Sequence, residues 1–214
     1  MLFDLDGTLS NSEPGILKSL DAALALVGLQ FSREAMRHTI GPPFDIGLPA
    51  LGVPAEHLPA VIGRYREHYE EAGLFDTSVY DGVVDMLDAL AEGGYVLAVA
   101  TSKPETSARR VLDHLELTSR FAAIAGATYG PERANKSAVI AHALEQLARR
   151  GGPDVVMVGD RQHDIEGARH HDIDTIAVTW GYGGPDEFRK FGAWAVADRP
   201  ADVVELIVGS AQST

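Results

Sequence analysis

The chain has 214 residues, 45% hydrophobic and 23% charged, with 18 basic and 31 acidic side chains and a net charge of −13. This composition is ordinary for a globular protein, and the length allows one core with a small inserted domain. The acidic balance argues against nucleic-acid binding, which needs a basic surface. No apolar run could span a bilayer, and the lack of Cys excludes disulfides and thiol chemistry. We therefore expect a cytoplasmic protein with no membrane or nucleic-acid partner.

Two aspartates follow the first apolar run, residues 1–3. Side chains at i and i+2 of an extended chain point the same way, so Asp4 and Asp6 are expected to project together beyond the strand. Two such carboxylates repel each other unless a cation lies between them. A divalent metal with oxygen ligands satisfies this requirement, and Mg²⁺ is the ion we expect. A turn or helix cap at Asp6-Gly7 is the alternative that these residues alone leave open.

Residues 13–78 have the periodicity of helices. The first helix, 14–28, begins at Pro14 and ends at Gly28, and its apolar side chains fall on one face. Further helices are predicted after a Ser32 cap, over 46–52 and over 54–73. Because nothing here alternates with period two, the region is predicted to be all-helical.

From residue 80 onward, helices and strands alternate. The predicted helices are 82–92, 104–115, 136–149, 162–171 and 200–208, and the predicted strands are 95–100, 122–125, 155–158, 175–178 and 193–196. This alternation implies a parallel sheet covered on both faces, which is a three-layer α/β, Rossmann-like core. In such sheets the functional site lies beyond the carboxyl ends of the strands.

Polar residues follow the predicted strands at that edge. The sequence has DxDGT from residue 4, Thr-Ser-Lys from 101, a lysine at 136 and GDxxxD from 159. This order resembles the haloacid dehalogenase (HAD) superfamily of aspartyl-phosphate phosphohydrolases, and the four motifs span residues 4–164. The resemblance implies an α/β core of residues 1–12 and 80–214, with an α-helical cap of residues 13–79 inserted between the first two motifs.

The resemblance also implies roles for the aspartates. Asp4 corresponds to the nucleophile, which needs no activating base because an ordinary Asp is ionised at neutral pH. Asp6 corresponds to the general acid and base, with its backbone carbonyl as a metal ligand. Its presence favours a phosphatase, because the true dehalogenases lack this aspartate and need no metal. Asp160 corresponds to a direct metal ligand, and Asp164 to a ligand or to a residue acting through water. A helix cap is the alternative for Asp160.

The phosphate-binding residues are implied in the same way. The Thr101 hydroxyl and the backbone N–H groups of Ser102 and Gly7 would donate to phosphate oxygens, although Thr101 alone also fits a helix cap. Lys136 would supply positive charge in the transition state.

Three further features leave alternatives open. The assignment of the transition-state cation to Lys136 depends on its position in the family pattern alone, and Arg133 is the alternative for the same role. Lys103 is either a second cation at the site or a solvated loop lysine. The histidines at 163, 170 and 171 are expected near the surface or behind the ligands, because Mg²⁺ prefers oxygen.

The cap would read the leaving group. Candidate readers are the turn at 40–44 and the basic, aromatic face around Arg66, where an arginine could bind a second carboxylate or phosphate. The same residues could equally cover the helices by packing.

The stretch 159–183, with its Gly181-Tyr182-Gly183 loop, and residues 136–140 are similar to the branch of phosphoglycolate phosphatases and 5′-nucleotidase-like enzymes. We therefore expect a Mg²⁺-dependent phosphatase that acts on a small phosphate monoester, as a monomer or homodimer. A phosphotransferase, a mutase or a protein-phosphotyrosine-directed enzyme could use the same aspartyl-phosphate. A non-catalytic protein-interaction module that keeps the fold is the alternative from a different class.

Overall fold

The computed structural model describes residues 1–41, 44–128 and 130–211. The chain forms two compact units. The α/β unit comprises residues 1–10 and 79 onward, and the helical unit comprises residues 11–78. These bounds differ slightly from the predicted core of 1–12 with 80–214 and cap of 13–79. Pro42 and Pro43 of the predicted 40–44 turn lie outside the described residues.

Six of the strands in the described residues form one parallel sheet, in the order β5-β4-β1-β6-β7-β8, and the other two, β2 and β3, form a separate two-stranded sheet. The strands are β1 (Leu2–Phe3), β2 (Ser10–Asn11), β3 (Ser78–Val79), β4 (Ala98–Pro104), β5 (Ala123–Ala127), β6 (Val156–Gly159), β7 (Asp174–Val178) and β8 (Ala195–Ala197). With its flanking helices this is the predicted α/β class.

The helices that flank the sheet or build the helical unit follow in chain order. They are α1 (Glu13–Leu26), α2 (Arg33–Arg37), α3 (Phe44–Leu51), α4 (Leu58–His68), α5 (Val83–Glu92), α6 (Glu105–His114), α7 (Lys136–Gln146), α8 (Gln162–Arg169), α9 (Pro185–Phe191) and α10 (Pro200–Ala211). No described helix is both long enough and apolar enough to cross a bilayer. The cytoplasmic location remains a prediction.

Strand β1 is short and lies at the centre of the sheet. Leu2 and Phe3 are fully buried and pair on one side with β4 and on the other with β6. The next residue, Asp4, still donates its backbone N–H to Val158 O at 2.9 Å, and the chain then turns. Consequently the carboxyl ends of β1, β4 and β6 lie side by side, and each carries one of the motifs.

Small residues allow α7 to pack closely on the sheet. Ala98, Ala100, Ala123 and Ala125 are buried beneath it in one cluster that includes its apolar face. Helix α8 packs beside α7, and Gly167 makes this contact possible, because a Cβ there would lie 2.7 Å from Lys136 Cγ. This packing holds the first residue of α7, Lys136, at the end of the sheet that carries the motifs.

Within the helical unit, the predicted apolar face of α1 is buried, including Leu17, Leu20 and Leu24. Ser32 Oγ accepts a hydrogen bond from Ala35 N at 3.2 Å, which confirms the predicted cap of α2. The helix predicted over 54–73 is divided into a 3₁₀ turn (Ala55–His57), α4 and a π-helical turn (Tyr69–Gly73).

One predicted strand of the α/β unit has different limits, and one helix was missed. The strand predicted over 95–100 is Ala98–Pro104, because its register is set by pairing Ala98 with Leu2, and Val96 is half exposed. Helix α9 had not been predicted, although Pro185 in its first turn and Gly192 just after its end are ordinary start and stop signals.

Candidate active site

Three carboxylates meet at the carboxyl end of the sheet. Asp4 follows β1, Asp160 follows β6, and Asp164 lies in the first turn of α8. All three are buried, and one oxygen from each lies within 4.8 Å of the others. The sequence therefore identified three members of one cluster from segments that are far apart in the chain.

Lys136 contacts two of these carboxylates. Its Nζ lies 2.9 Å from Asp4 Oδ1 and 2.7 Å from Asp164 Oδ1, and donates a hydrogen bond to Ala100 O at 3.0 Å. The side chain is only 3% exposed. Arg133, the rival, is bound elsewhere: its guanidinium donates to Gly126 O at 2.9 Å and to Glu105 Oε2 at 3.3 Å.

Asp160 is fixed by two loops. Its Oδ1 accepts from Thr8 Oγ1 at 3.2 Å, and its Oδ2 accepts from Tyr182 N at 2.8 Å. Gly7 has φ +87° and a Cβ there would overlap the Asp160 carboxylate, and the same holds for Gly181 against Asp160 and the Gly7 carbonyl. Sequence reasoning missed Thr8 and the Tyr182 N–H, although the glycines around residue 182 indicated a close approach.

Burial strongly affects the ionisation of this cluster. It raises the pKa of Asp4 to about 6 even though Lys136 opposes the shift, and it raises the pKa of Asp160 well above its ordinary value, with Asp164 adding to both. For Lys136, burial alone would lower the pKa, but the carboxylates of Asp164 and Asp4 outweigh it and raise the pKa above its ordinary value. Three carboxylates thus share one ammonium, and negative charge is in excess.

A hard divalent cation fits this donor set. The three side chains offer only oxygen atoms, which suits Mg²⁺ or a similar ion and disfavours zinc. A divalent cation would neutralise the excess negative charge of these buried, closely grouped carboxylates, whose burial and mutual repulsion raise the pKa values of Asp4 and Asp160. The candidate protein ligands are therefore Asp4, Asp160 and Asp164.

The Asp6 carboxylate does not belong to this cluster. The sequence predicted that Asp4 and Asp6 project together, but β1 ends at Phe3 and the chain turns, so the alternation of an extended strand does not reach Asp6. Its two carboxylate oxygens instead accept from Lys103 Nζ at 3.0 and 2.7 Å. Lys103 is 4% exposed, so the alternative of a solvated loop lysine was wrong. The role of the Asp6 backbone carbonyl as a metal ligand remains a prediction.

The predicted phosphate-binding residues differ in their burial and hydrogen bonding. Thr101 is buried where the regular pairing of β4 ends, and its Oγ1 accepts from Lys103 N at 3.2 Å, whereas Ser102 is exposed. The Gly7 N–H donates to Ser10 O at 2.8 Å, so the tight turn already uses the donor that had been assigned to phosphate. Arg66 lies on α4 in the helical unit, and its role remains a prediction.

The histidines take no part in the carboxylate cluster. His171 Nε2 lies 3.1 Å from Ser137 Oγ, His170 Nδ1 lies 2.7 Å from Glu166 O, and His163 is half-buried. Among the residues that the structure describes, the candidate metal group contains carboxylates only.

Comparisons with known proteins show what the chain is similar to. The family described as haloacid dehalogenase-like hydrolase matches residues 1–178. "Tyrosine-protein kinase PtkA" of Mycobacterium tuberculosis is 43% identical over 96% of this chain and 70% of that protein. A 5′-nucleotidase of Pseudomonas aeruginosa is 36% identical over 88% of this chain and 86% of its own. The crystal structure of a predicted phosphatase from Clostridium acetobutylicum has a TM-score of 0.89 and 33% identity, with 97% of each chain covered.

Replacing Lys136 by Met is expected to destabilise the metal-free protein at about pH 7.5 by about 3 kcal/mol, because it leaves buried carboxylates without a cation. The loss should be smaller at about pH 5. Asp4, with its pKa raised to about 6, is then mostly protonated in the folded protein and needs no counter-charge. Urea unfolding in EDTA at both pH values measures this difference.

The matched control is Lys190→Met, because Lys190 is exposed on α9. It should change the free energy of unfolding by less than about 0.5 kcal/mol at either pH. An equal loss for Lys136→Met at both pH values would contradict the account of the cluster.

Proposed function

Because the chain belongs to the haloacid dehalogenase-like hydrolase family, we propose that it is a Mg²⁺-dependent phosphatase that hydrolyses a small phosphate monoester through an aspartyl-phosphate on Asp4. The coarser activity, phosphatase action on phosphate esters, agrees with the family and with the names of its relatives. The finer assignments of metal, substrate and residue roles are the proposal.

The observation that supports the proposal best is the buried group of Asp4, Asp160, Asp164 and Lys136. Folding alone does not require three carboxylates within 4.8 Å of one another, because burying charge is costly. Phosphoryl transfer, by contrast, needs a nucleophile, a cation and a fixed positive charge at one point.

The contacts of Asp4 support a choice of its attacking oxygen in the proposed mechanism. Its Oδ1 accepts from Leu5 N at 2.8 Å and faces Lys136 Nζ at 2.9 Å, so we assign the attack to Oδ2. As the new P–O bond forms, the bond to the leaving oxygen breaks, and Asp6 gives that oxygen a proton. In the second step Asp6 takes a proton from water, the water oxygen bonds to phosphorus, and the bond to Asp4 breaks.

The other residues bind and orient. Asp160 and Asp164, with Asp4, would hold the divalent cation, which when bound neutralises part of the repulsion between the nucleophile and the phosphate. Lys136 supplies a fixed ammonium beside the nucleophile. The Thr101 hydroxyl, where the regular pairing of the neighbouring strand β4 ends, is our candidate to contact a phosphate oxygen. Arg66 remains our candidate for reading the leaving group.

A small substrate is proposed on the similarity to the phosphoglycolate phosphatase and 5′-nucleotidase-like branch. The alignment with the relative named 5′-nucleotidase spans 88% of this chain and 86% of that protein. We therefore propose a compact phosphate ester, such as a nucleoside monophosphate or phosphoglycolate, as the substrate. A screen of such esters identifies the substrate.

Asp4→Asn is expected to lower kcat on 4-nitrophenyl phosphate with Mg²⁺ by about 10³-fold or more, because an amide cannot form the acyl phosphate. The matched control is Asp186→Asn, a side chain 97% exposed on α9, which should keep full activity. Turnover by Asp4→Asn at the wild-type rate would refute the nucleophile assignment, and an inert wild-type protein would favour the non-catalytic module.

Mg²⁺ is expected to raise the melting temperature of the wild-type protein. At a Mg²⁺ concentration of a hundred times the dissociation constant, binding adds about 2.7 kcal/mol to the free energy of unfolding. Asp160→Asn should lose this stabilisation by Mg²⁺. Without metal it should be at least as stable as the wild type, because burial disfavours the ionised Asp160. Thermal unfolding with and without Mg²⁺ tests both statements, with Asp186→Asn keeping the increment. An undiminished shift in Asp160→Asn would exclude this residue as a ligand.

Phosphoryl transfer to a tyrosine is the second candidate, because the relative named tyrosine-protein kinase is 43% identical over nearly the whole chain. The same aspartyl-phosphate could pass its phosphoryl group to a hydroxyl other than that of water. With radiolabelled ATP and a tyrosine-containing peptide, the phosphatase proposal predicts that the peptide stays unlabelled. Label on the peptide that Asp4→Asn abolishes would favour the transferase.

A further inference from the structure

The proposed mechanism uses Asp6 but gives no role to the buried lysine bound to it. Lys103 Nζ lies 2.7 Å from Asp6 Oδ2 and 3.0 Å from Oδ1, and its side chain is 4% exposed. An ammonium is rarely buried without a partner, because the loss of hydration must be compensated. The Asp6 side chain is 21% exposed, so the carboxylate is accessible from solvent although the lysine that holds it is not.

The backbone directs Lys103 toward Asp6. The pairing of β4 with β5 is regular up to Thr101 and then shifts before Pro104. Within this irregular strand end, Lys103 N donates to Thr101 Oγ1 at 3.2 Å. Irregular strand ends re-aim side chains, and here the side chain reaches the turn that follows the neighbouring strand β1.

Two buried lysines bind different acidic residues of the site. Lys136 contacts Asp4 and Asp164, whereas Lys103 contacts Asp6. A carboxylate two residues from the nucleophile and without its own cation could rotate toward the cluster and bind the metal. Proton transfer instead requires an oxygen within hydrogen-bond reach of the leaving group.

We propose that Lys103 is a positioning residue, which fixes the Asp6 carboxylate for proton transfer and keeps it out of the Asp4–Asp160–Asp164 cluster. This inference rests on the proposed function. The proton moves from Asp6 to the leaving oxygen when that P–O bond breaks, and from water to Asp6 when the bond to Asp4 breaks. The Asp6 side chain carries out both transfers from the same position, and Lys103 neither gives nor takes a proton.

The experiment compares two leaving groups. Glycerol 2-phosphate releases an alkoxide oxygen that must be protonated, whereas 4-nitrophenyl phosphate releases a stabilised anion that needs little help. In Lys103→Met, kcat/KM for glycerol 2-phosphate should fall about tenfold or more, and kcat/KM for 4-nitrophenyl phosphate less than about threefold. The ratio of the two values is the readout, because a merely structural loss would lower both equally.

Three companion variants sharpen the test. Lys103→Arg keeps a cation able to contact both carboxylate oxygens, and should recover part of the ratio. Lys190→Met, an exposed lysine on α9, should change neither value. In an Asp6→Asn background, Lys103→Met should have no further effect on the ratio, because the group that it positions is gone. If Lys103→Met does not fold by circular dichroism, Lys103→Gln is measured with the same expectation.

The inference and the proposed function fail in different ways. A wild-type protein that hydrolyses neither ester overturns the proposed function, and this inference with it. Hydrolysis of both esters, with equal losses in Lys103→Met and thus an unchanged ratio, overturns the inference alone. A further drop in the ratio in the Asp6→Asn background would also overturn it, because Lys103 would then act on something other than Asp6.

Discussion

The buried ammonium of Lys136 joins segments that are far apart in the chain. It contacts Asp4 after β1 and Asp164 in α8, and it donates to the Ala100 carbonyl in β4. Removing these ions from water costs several kcal/mol for each one, and only their mutual contacts and hydrogen bonds compensate. The carboxyl ends of the strands are therefore held together partly by charges that we also propose to take part in the chemistry. If this proposal holds, a substitution of Lys136 changes stability and activity together.

Glycines determine how closely the loops approach this charge. Around Asp160, a Cβ at Gly7, Gly181 or Gly183 would overlap its carboxylate or backbone. Of these, only Gly7 has a backbone conformation that L side chains rarely adopt, at φ +87°. The other two are needed for space alone. The loop after β7 consequently reaches Asp160 closely enough for the Tyr182 N–H to donate to it, which replaces part of the hydration that burial removed.

The sequence predicted those parts of the fold and site that depend on local pattern. Periodicity and capping predicted α1 and α2, and the alternation of strands with helices predicted the parallel sheet. The order of the motifs identified Asp4, Asp160 and Asp164, because the carboxyl ends of parallel strands share one edge. The limits of β4 were wrong because its register depends on β1, about a hundred residues away, and no local signal carries that information.

The partner of Asp6 is a case that local reasoning cannot predict. The i, i+2 spacing applies to an extended strand, but the strand ends at Phe3 and the chain turns at Gly7. The lysine that pairs with Asp6 comes from the neighbouring strand. Strand β4 lies next to β1, and its irregular end directs Lys103 toward Asp6. Two aspartates that are nearly adjacent in sequence thus enter different electrostatic environments. One is held with the candidate metal ligands and the other is paired with Lys103 outside them. This difference in environment is the basis for the different roles that we propose for the two aspartates.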